Sequence, residues 1–336
     1  MFDDLKTQIK SGARVLNVSG LTSISAKAYA IARLRAETGK RIALITSSNS
    51  ELENWSADIA FFSRLVGGSE TEVIALPSFE ADPYSGVSPH AETQELRALA
   101  LWRLAKGGGD VVVMSARSVF QRTVEPKEMR AMGADIVRDR DIPPEKLTEQ
   151  LAAVGYRRED PILGPGQFSV RGGIVDVWPP DAASPYRIEF FGDTVDSIRV
   201  FDPQTQLSIE QVKASLIAPM REQRLSPADM KDWAFFAEER FANEKFRRNL
   251  KDRTDLAADG ETYSGWEFLL PLSRPLTGSV FEFLDDHLLV IDEPAEIEQN
   301  IVSLFDHLER SYRAVAEGGD IGLPVEELFF DAEAVR

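Results

Sequence analysis

An apolar strand that delivers an aspartate and a glutamate is one half of a magnesium-nucleotide site, and Val290-Ile291-Asp292-Glu293 has that form. The aspartate of such a pair holds Mg²⁺. The other half is a glycine-rich turn ahead of a helix. Its backbone amides wrap the phosphates, a lysine reaches them and a hydroxyl holds the metal. Val18-Ser19-Gly20-Leu21-Thr22-Ser23-Ile24-Ser25-Ala26-Lys27 stands where that turn is expected. Gly20 fits the first glycine, but Ser25 replaces the second glycine, Ala26 the lysine and Lys27 the hydroxyl. Charge-assisted hydrogen bonds contribute roughly 1.5–3 kcal/mol each, so loss of the lysine alone weakens nucleotide binding by about tenfold or more. The turn reads as a structural helix start. Gly20, Ser25, Ala26, Lys27, Asp292 and Glu293 read together as the relic of a nucleotide site, and no cofactor is expected.

Other catalytic arrangements are missing from the sequence. With no cysteine, disulfides, thiolate metal sites and cysteine nucleophiles are excluded together, which points to a reducing, cytoplasmic setting. His90, His287 and His307 share no metal-ligand spacing, and neither HExxH nor GxSxG occurs. The sequence offers no catalytic and no metal-binding residues, and the chain reads as a non-enzyme.

A different chemistry is available in the middle of the chain, in Gly166–Pro179 and Tyr186–Pro203. Arg171 and Arg187 fall on neighbouring strand candidates, and Phe191 shares the face of Arg187 by the two-residue period of a strand. An exposed cluster of two arginines and a phenylalanine has the composition of a protein-interface hot spot. Equally, both arginines could neutralise local carboxylates such as Asp176 and Glu189. Composition alone leaves these two readings even.

These residues need a scaffold. Strand candidates at Arg14–Val18, Arg41–Thr46, Glu72–Leu76 and Asp110–Met114 alternate with helices at Ala26–Glu37, Ser50–Phe62 and Thr93–Ala105. That order implies parallel strand–helix–strand units. After Arg122 the pattern changes to a small α+β insert. It has a strand at Ala134–Val137, a helix at Pro144–Val154, and strands at Phe168–Trp178, Arg187–Phe191 and Thr194–Phe201. Gly172-Gly173 reads as a bulge or close backbone approach, and Gly192-Asp193 as a tight hairpin turn. Long helices follow at Pro227–Leu250 and Glu296–Ala316. The single strand between them, Leu288–Ile291, is expected to complete the first α/β layer.

The chain carries 38 basic and 55 acidic side chains, a net charge of −17. Such a surface repels polyanions and disfavours DNA binding by the molecule as a whole. Residues 211–336 hold 14 of the basic and 26 of the acidic groups, so the acidity concentrates there. It reads as solvated helix faces, with an acidic protein-binding tail as the alternative. No window approaches the ~18 apolar residues of a membrane span.

The run from Gly166 to Pro203 closely resembles the second domain of UvrB and the equivalent domain of the bacterial transcription–repair coupling factors (Mfd). Ala75–Glu80, Pro83–His90 and Gly265–Leu272 resemble flanking segments of the coupling factors. The broken turn at Ser25, Ala26 and Lys27 is similar to theirs rather than to the intact one of UvrB. The short path from Pro89 to the Thr93 helix leaves no room for UvrB's DNA-probing hairpin. The end at Arg336 looks like the boundary of the coupling factor's N-terminal UvrB-like module.

The resemblance implies a degenerate RecA/helicase-like parallel α/β domain built from two chain segments, 1–131 and 220–336. Between them, at 132–219, it implies an inserted small α+β domain like UvrB domain 2. It further implies a docking function in nucleotide excision repair, with UvrA as partner and Arg171, Arg187 and Phe191 as the matching contacts. In a full-length protein, its own C-terminal domain, RNA polymerase and DNA would be reached through other domains. The competing readings are a nucleotide-dependent, helicase-related enzyme using Asp292 and Glu293, and DNA binding through the α/β layer.

Overall fold

The computed structural model describes residues 2–67 and 70–331. Met1 and residues 332–336, the outer ends of the two expected α/β segments, lie outside the described residues, as do residues 68 and 69. After α1 (Phe2–Lys10) and α2 (Ile24–Thr38), the run Ile-Ala-Leu-Ile-Thr forms β1 (Ile42–Thr46), buried at all five positions. Then come α3 (Leu52–Gly67), β2 (Val73–Leu76), α4 (Ala91–Ala105) and β3 (Val111–Ser115), the last again buried throughout. Strands buried at every position belong in a parallel sheet covered on both faces, and β1, β2 and β3 pair in parallel.

Alternate residues serve opposite sides. Ile42, Leu44, Val111 and Val113 pack with Ala28 and Ile31 of α2 and Trp55 and Ile59 of α3. Ala43, Ile45, Val112 and Met114 pack with Leu101 and Trp102 of α4.

Arg14–Val18, expected as a strand, joins no sheet, and Val15 and Val18 stay exposed. The physical reason lies in the sheet order: β1 already has β3 on one side and the later strand Leu288–Ile291 on the other. That strand is an unbroken apolar run, whereas Arg14-Val-Leu-Asn17-Val carries two polar residues.

Two short helices, α5 (Ala116–Phe120) and α6 (Pro126–Met132), lead to β4 (Ala134–Val137). The insert then runs through α7 (Pro144–Ala153), β5 (Arg157–Arg158), β6 (Gln167–Arg171), β7 (Ile174–Val177), β8 (Tyr186–Phe191), β9 (Thr194–Phe201) and β10 (Ser208–Val212). It closes with β11 (Ala214–Ile217), antiparallel to β4, so the entry and exit of the insert are hydrogen-bonded together. The remaining strands form one sheet in the order β10-β9-β8-β7-β6-β5. Phe168–Trp178 is therefore two strands, not one. Gly172 has φ +59° and with Gly173 makes the turn of a β6–β7 hairpin rather than a bulge, while the expected close backbone approach is found at Gly173, where a Cβ would lie 3.1 Å from the Phe190 carbonyl oxygen. Gly192-Asp193 makes the β8–β9 turn as expected, with Gly192 at φ +61°.

The third part begins with α8 (Pro227–Arg240), capped by a reciprocal Ser226–Asp229 box, and α9 (Arg247–Ala258). The expected single helix Pro227–Leu250 breaks after Arg240, where Phe241 turns into the core and Asn243 caps a short turn. Then β12 (Leu288–Ile291) pairs in parallel with β1, residue for residue from Ile42↔Leu288 to Ile45↔Ile291. The late strand thus completes the first sheet, in the order β12-β1-β3-β2. α10 (Pro294–Gly318) and α11 (Val325–Leu328) end the described chain.

Two flanking segments that carry the resemblance pack against each other. Ser88 Oγ accepts from the Gly265 amide at 2.9 Å and donates to Glu267 Oε2 at 2.7 Å, while Gln94 Nε2 donates to Glu267 Oε1 at 3.1 Å. Gly265 has φ +81°, and a Cβ there would lie 3.1 Å from the backbone of Gly86. These residues form an architectural clasp that fixes the loop before α4 to the helical third part.

Candidate functional site

Ser23 caps α2, its side chain accepting from the Ala26 amide at 3.2 Å, which fits the reading of a structural helix start. Gly20 sits in the preceding loop at φ +89°, and Ser25 Oγ turns away to donate to Asp58 Oδ2 at 2.6 Å. The register of β12 on β1 carries Asp292 and Glu293 to the same end of the sheet as the start of α2. There the Lys27 ammonium donates to Asp292 Oδ1 at 2.6 Å and to Glu293 Oε1 at 2.7 Å. Glu293 adopts φ +45°, in the left-handed region that a non-glycine residue enters only at a cost.

Of the six relic residues, the fold brings Lys27, Asp292 and Glu293 into contact and leaves Ser25 bound elsewhere. A magnesium nucleotide does not fit this set. Ala26 has no ammonium for the phosphates, and the ammonium of Lys27 occupies the acids that would hold the metal. Burial disfavours the Lys27 charge, but the hydrogen bonds it donates to both carboxylates, with their charges, outweigh this and raise its pKa.

Raised above its unfolded value, this lysine contributes stability that is full below about pH 10.5 and is lost as pH climbs through the folded pKa. Removing the charged hydrogen bonds in Lys27→Ala should cost about 2 kcal/mol, read as a lower urea midpoint at pH 7. The melting temperature of the wild type should not move with millimolar MgATP. A rise would show that the acids still accept a nucleotide-bound metal.

The three histidines stay apart. His90 is exposed before α4, His307 Nε2 lies 3.0 Å from Asp82 Oδ2, and half-buried His287 has its pKa lowered by burial. Among the described residues no group of three or more His, Asp or Glu is arranged to hold a metal ion.

The insert sheet has two unlike faces. Phe168, Val175, Val177, Ile188, Val195 and Ile198 point into the core with Leu147 and Leu151 of α7. The opposite face carries Arg171, Asp176, Arg187, Glu189 and Phe191. Arg171 and Arg187 are not on adjacent strands: β7 lies between β6 and β8, and its Asp176 joins them. Asp176 is only 1% exposed. Arg187 donates to it through Nε and Nη2, both at 2.8 Å, and Arg171 through Nη2 at 3.2 Å. Arg187 also donates to Gln206 Oε1 at 2.8 Å and lies over the Phe201 ring at 4.4 Å, which leaves its side chain 19% exposed. The Arg171 side chain is 47% exposed and also lies 3.5 Å from Asp160. Phe191, at the end of β8, is 84% exposed.

The neutralising reading describes the two arginines, and Phe191 stays exposed on their face. The carboxylate that the arginines neutralise is Asp176, while Glu189 pairs with Arg199 instead. What sequence reasoning missed is the bracing of Arg187 by Gln206 and Phe201. The signal was Phe201, an aromatic at the end of β9 on the polar face.

A model of the UvrB interaction domain matches residues 135–222. Transcription-repair-coupling factors are similar to the chain beyond that segment. That of Myxococcus xanthus is 30% identical over 100% of this chain and 28% of its own length. That of Haemophilus influenzae is 30% identical over 67% of this chain and 19% of its own, and that of Bacillus subtilis 31% over 68% and 19%. The chain therefore matches between 19% and 28% of the length of these relatives. No described helix is long and apolar enough to cross a membrane.

Proposed function

Because the chain is homologous to the N-terminal region of transcription-repair-coupling factors and contains a UvrB interaction domain, we propose that it is a docking module that recruits UvrA in nucleotide excision repair. One observation carries this reading. Within the matched segment, the polar face of the insert presents an almost fully exposed phenylalanine, Phe191, on the same face as Arg171 and Arg187. A large aromatic ring left in water on a face that carries arginines is the composition of interface hot spots. Arg171 offers its free donors to acidic groups of the partner, Arg187 holds Asp176 and the strand geometry beneath, and Phe191 packs at the centre.

The module acts without catalysis of its own. Support for this comes from Lys27, whose ammonium occupies Asp292 and Glu293 and leaves the relic site to hold the fold together. In a full-length protein, contacts with RNA polymerase, DNA and a C-terminal domain are proposed to be made through other domains. Titration of purified UvrA into the chain, followed by calorimetry, tests the reading. Micromolar or tighter binding is expected, and no binding at tens of micromolar would remove UvrA as the partner.

A further inference from the structure

Arg199 lies directly across from Arg187 in the antiparallel ladder of β8 and β9, so both guanidiniums rise from the same face. Like charges directly opposite one another weaken a sheet, and each guanidinium is offset only by its own carboxylate, Asp176 for Arg187 and Glu189 for Arg199. Arg187 is turned aside by Asp176 and Gln206. Arg199 is held much less firmly. Its Nη2 donates to Glu189 Oε2 at 3.1 Å, an oxygen that also accepts from Ser197 Oγ at 2.7 Å. Its Nε and Nη1 meet no acceptor among the described residues, and its side chain is 41% exposed. Glu189, which carries Arg199, stands two residues before Phe191 on the same strand and the same face. A local rule broken on an exposed face, with only one long hydrogen bond to a shared carboxylate oxygen in return, marks a candidate functional position.

We propose that Arg199 is a further partner-contacting residue of the docking face. With Arg171 it makes a pair of half-exposed guanidiniums on β6 and β9, either side of the braced Arg187, which takes carboxylates of the partner while Phe191 supplies the apolar anchor. The inference rests on the docking reading above, with UvrA as the partner. Arg199 adds its own requirement: the surface of UvrA that meets β9 is acidic.

The test titrates UvrA into the intact chain, into Arg199→Ala and into Arg199→Glu, with Phe191→Ala alongside. A glutamate at 199 faces Arg187 as an opposite-charge cross-strand pair. It also meets Glu189, so both variants are melted first and binding is compared below the lower of the two transitions, where a loss of binding is not a loss of fold. Alanine should weaken binding about tenfold at low salt, glutamate should weaken it further, and both gaps should narrow as salt is raised. If Arg199→Glu binds within twofold of the wild type while Phe191→Ala is impaired, Arg199 has no part in docking and the UvrA reading stands. If the wild type itself fails to bind, the reading falls and the role of Arg199 with it.

Discussion

Replacing Arg187 with alanine should cost the fold about 3 kcal/mol, and this loss comes before any loss of contact with a partner. Asp176 is 1% exposed, and Arg187 supplies two of the three guanidinium hydrogen bonds it receives, both at 2.8 Å. Removing one member of a buried ion pair leaves a charge without solvent or partner, which costs roughly 3–5 kcal/mol. The remaining contact from Arg171 at 3.2 Å puts the expectation at the lower end. Arg171→Ala removes only the longer bond from a half-exposed side chain, and should cost no more than about 1 kcal/mol. Urea denaturation of the two variants checks the contrast. Replacing the pair together, Arg187→Met with Asp176→Leu, should recover most of the loss, since an apolar pair of similar volume needs no counter-charge. If Arg187→Ala unfolds at the wild-type midpoint, Asp176 is not held as the geometry requires. The consequence for function is direct: a binding defect of Arg187→Ala reports on docking only at temperatures where that variant is folded.

The parts of the fold legible in the sequence are those where one periodicity has no rival. β1 and β3 are unbroken apolar runs, and only a covered parallel sheet uses both of their faces. Leu288–Ile291 is equally plain, and being alone among helices it had to join the first sheet. The failures share a cause: local pattern does not record which neighbour is available. Arg14–Val18 has strand composition but no vacant place beside β1. Phe168–Trp178 alternates on both sides of Gly172-Gly173, so a hairpin and a bulged single strand look the same until β7 is seen paired with both β6 and β8.

The site was legible as a face and not as a network. Counting by twos put Arg187 and Phe191 on one side, and this survives the register shift beyond Glu189. Ser197 pairs with Glu189 and Val195 with Phe190, so the extra residue is Asp196 on β9 and the parity of β8 is untouched. The strand between the arginines could not be seen, and without it Asp176 was one nearby acid among several. Arg199 was invisible for the same reason, since its place depends on cross-strand register. Lys27 was readable as a misfit in a phosphate-binding turn, but its bond to Asp292, 265 residues away, needs the sheet order.

Phe191→Ala should leave stability unchanged and weaken UvrA binding about thirtyfold or more, the equivalent of roughly 2–4 kcal/mol. The two halves of this expectation have one origin. At 84% exposure the ring gives the monomer almost nothing to lose, whereas its neighbour Phe190 turns inward and packs on the core. Single exposed apolar residues are ordinary. This one stands at a hairpin tip fixed by Gly192 and shares its face with guanidiniums that favour acidic partners. Covering it removes a large apolar area from water, a gain that salt does not screen. The defect of Phe191→Ala should therefore persist at high salt, where the defects of arginine variants shrink. Phe191→Leu should fall between alanine and the wild type, because the leucine keeps part of the apolar area but not the ring. Calorimetric titrations at two salt concentrations, with denaturation curves for each variant, separate these effects. Binding by Phe191→Ala within twofold of the wild type at both concentrations would move the partner surface off the β8–β9 tip, and the arginines would then have to be read as the structural brace of Asp176 alone.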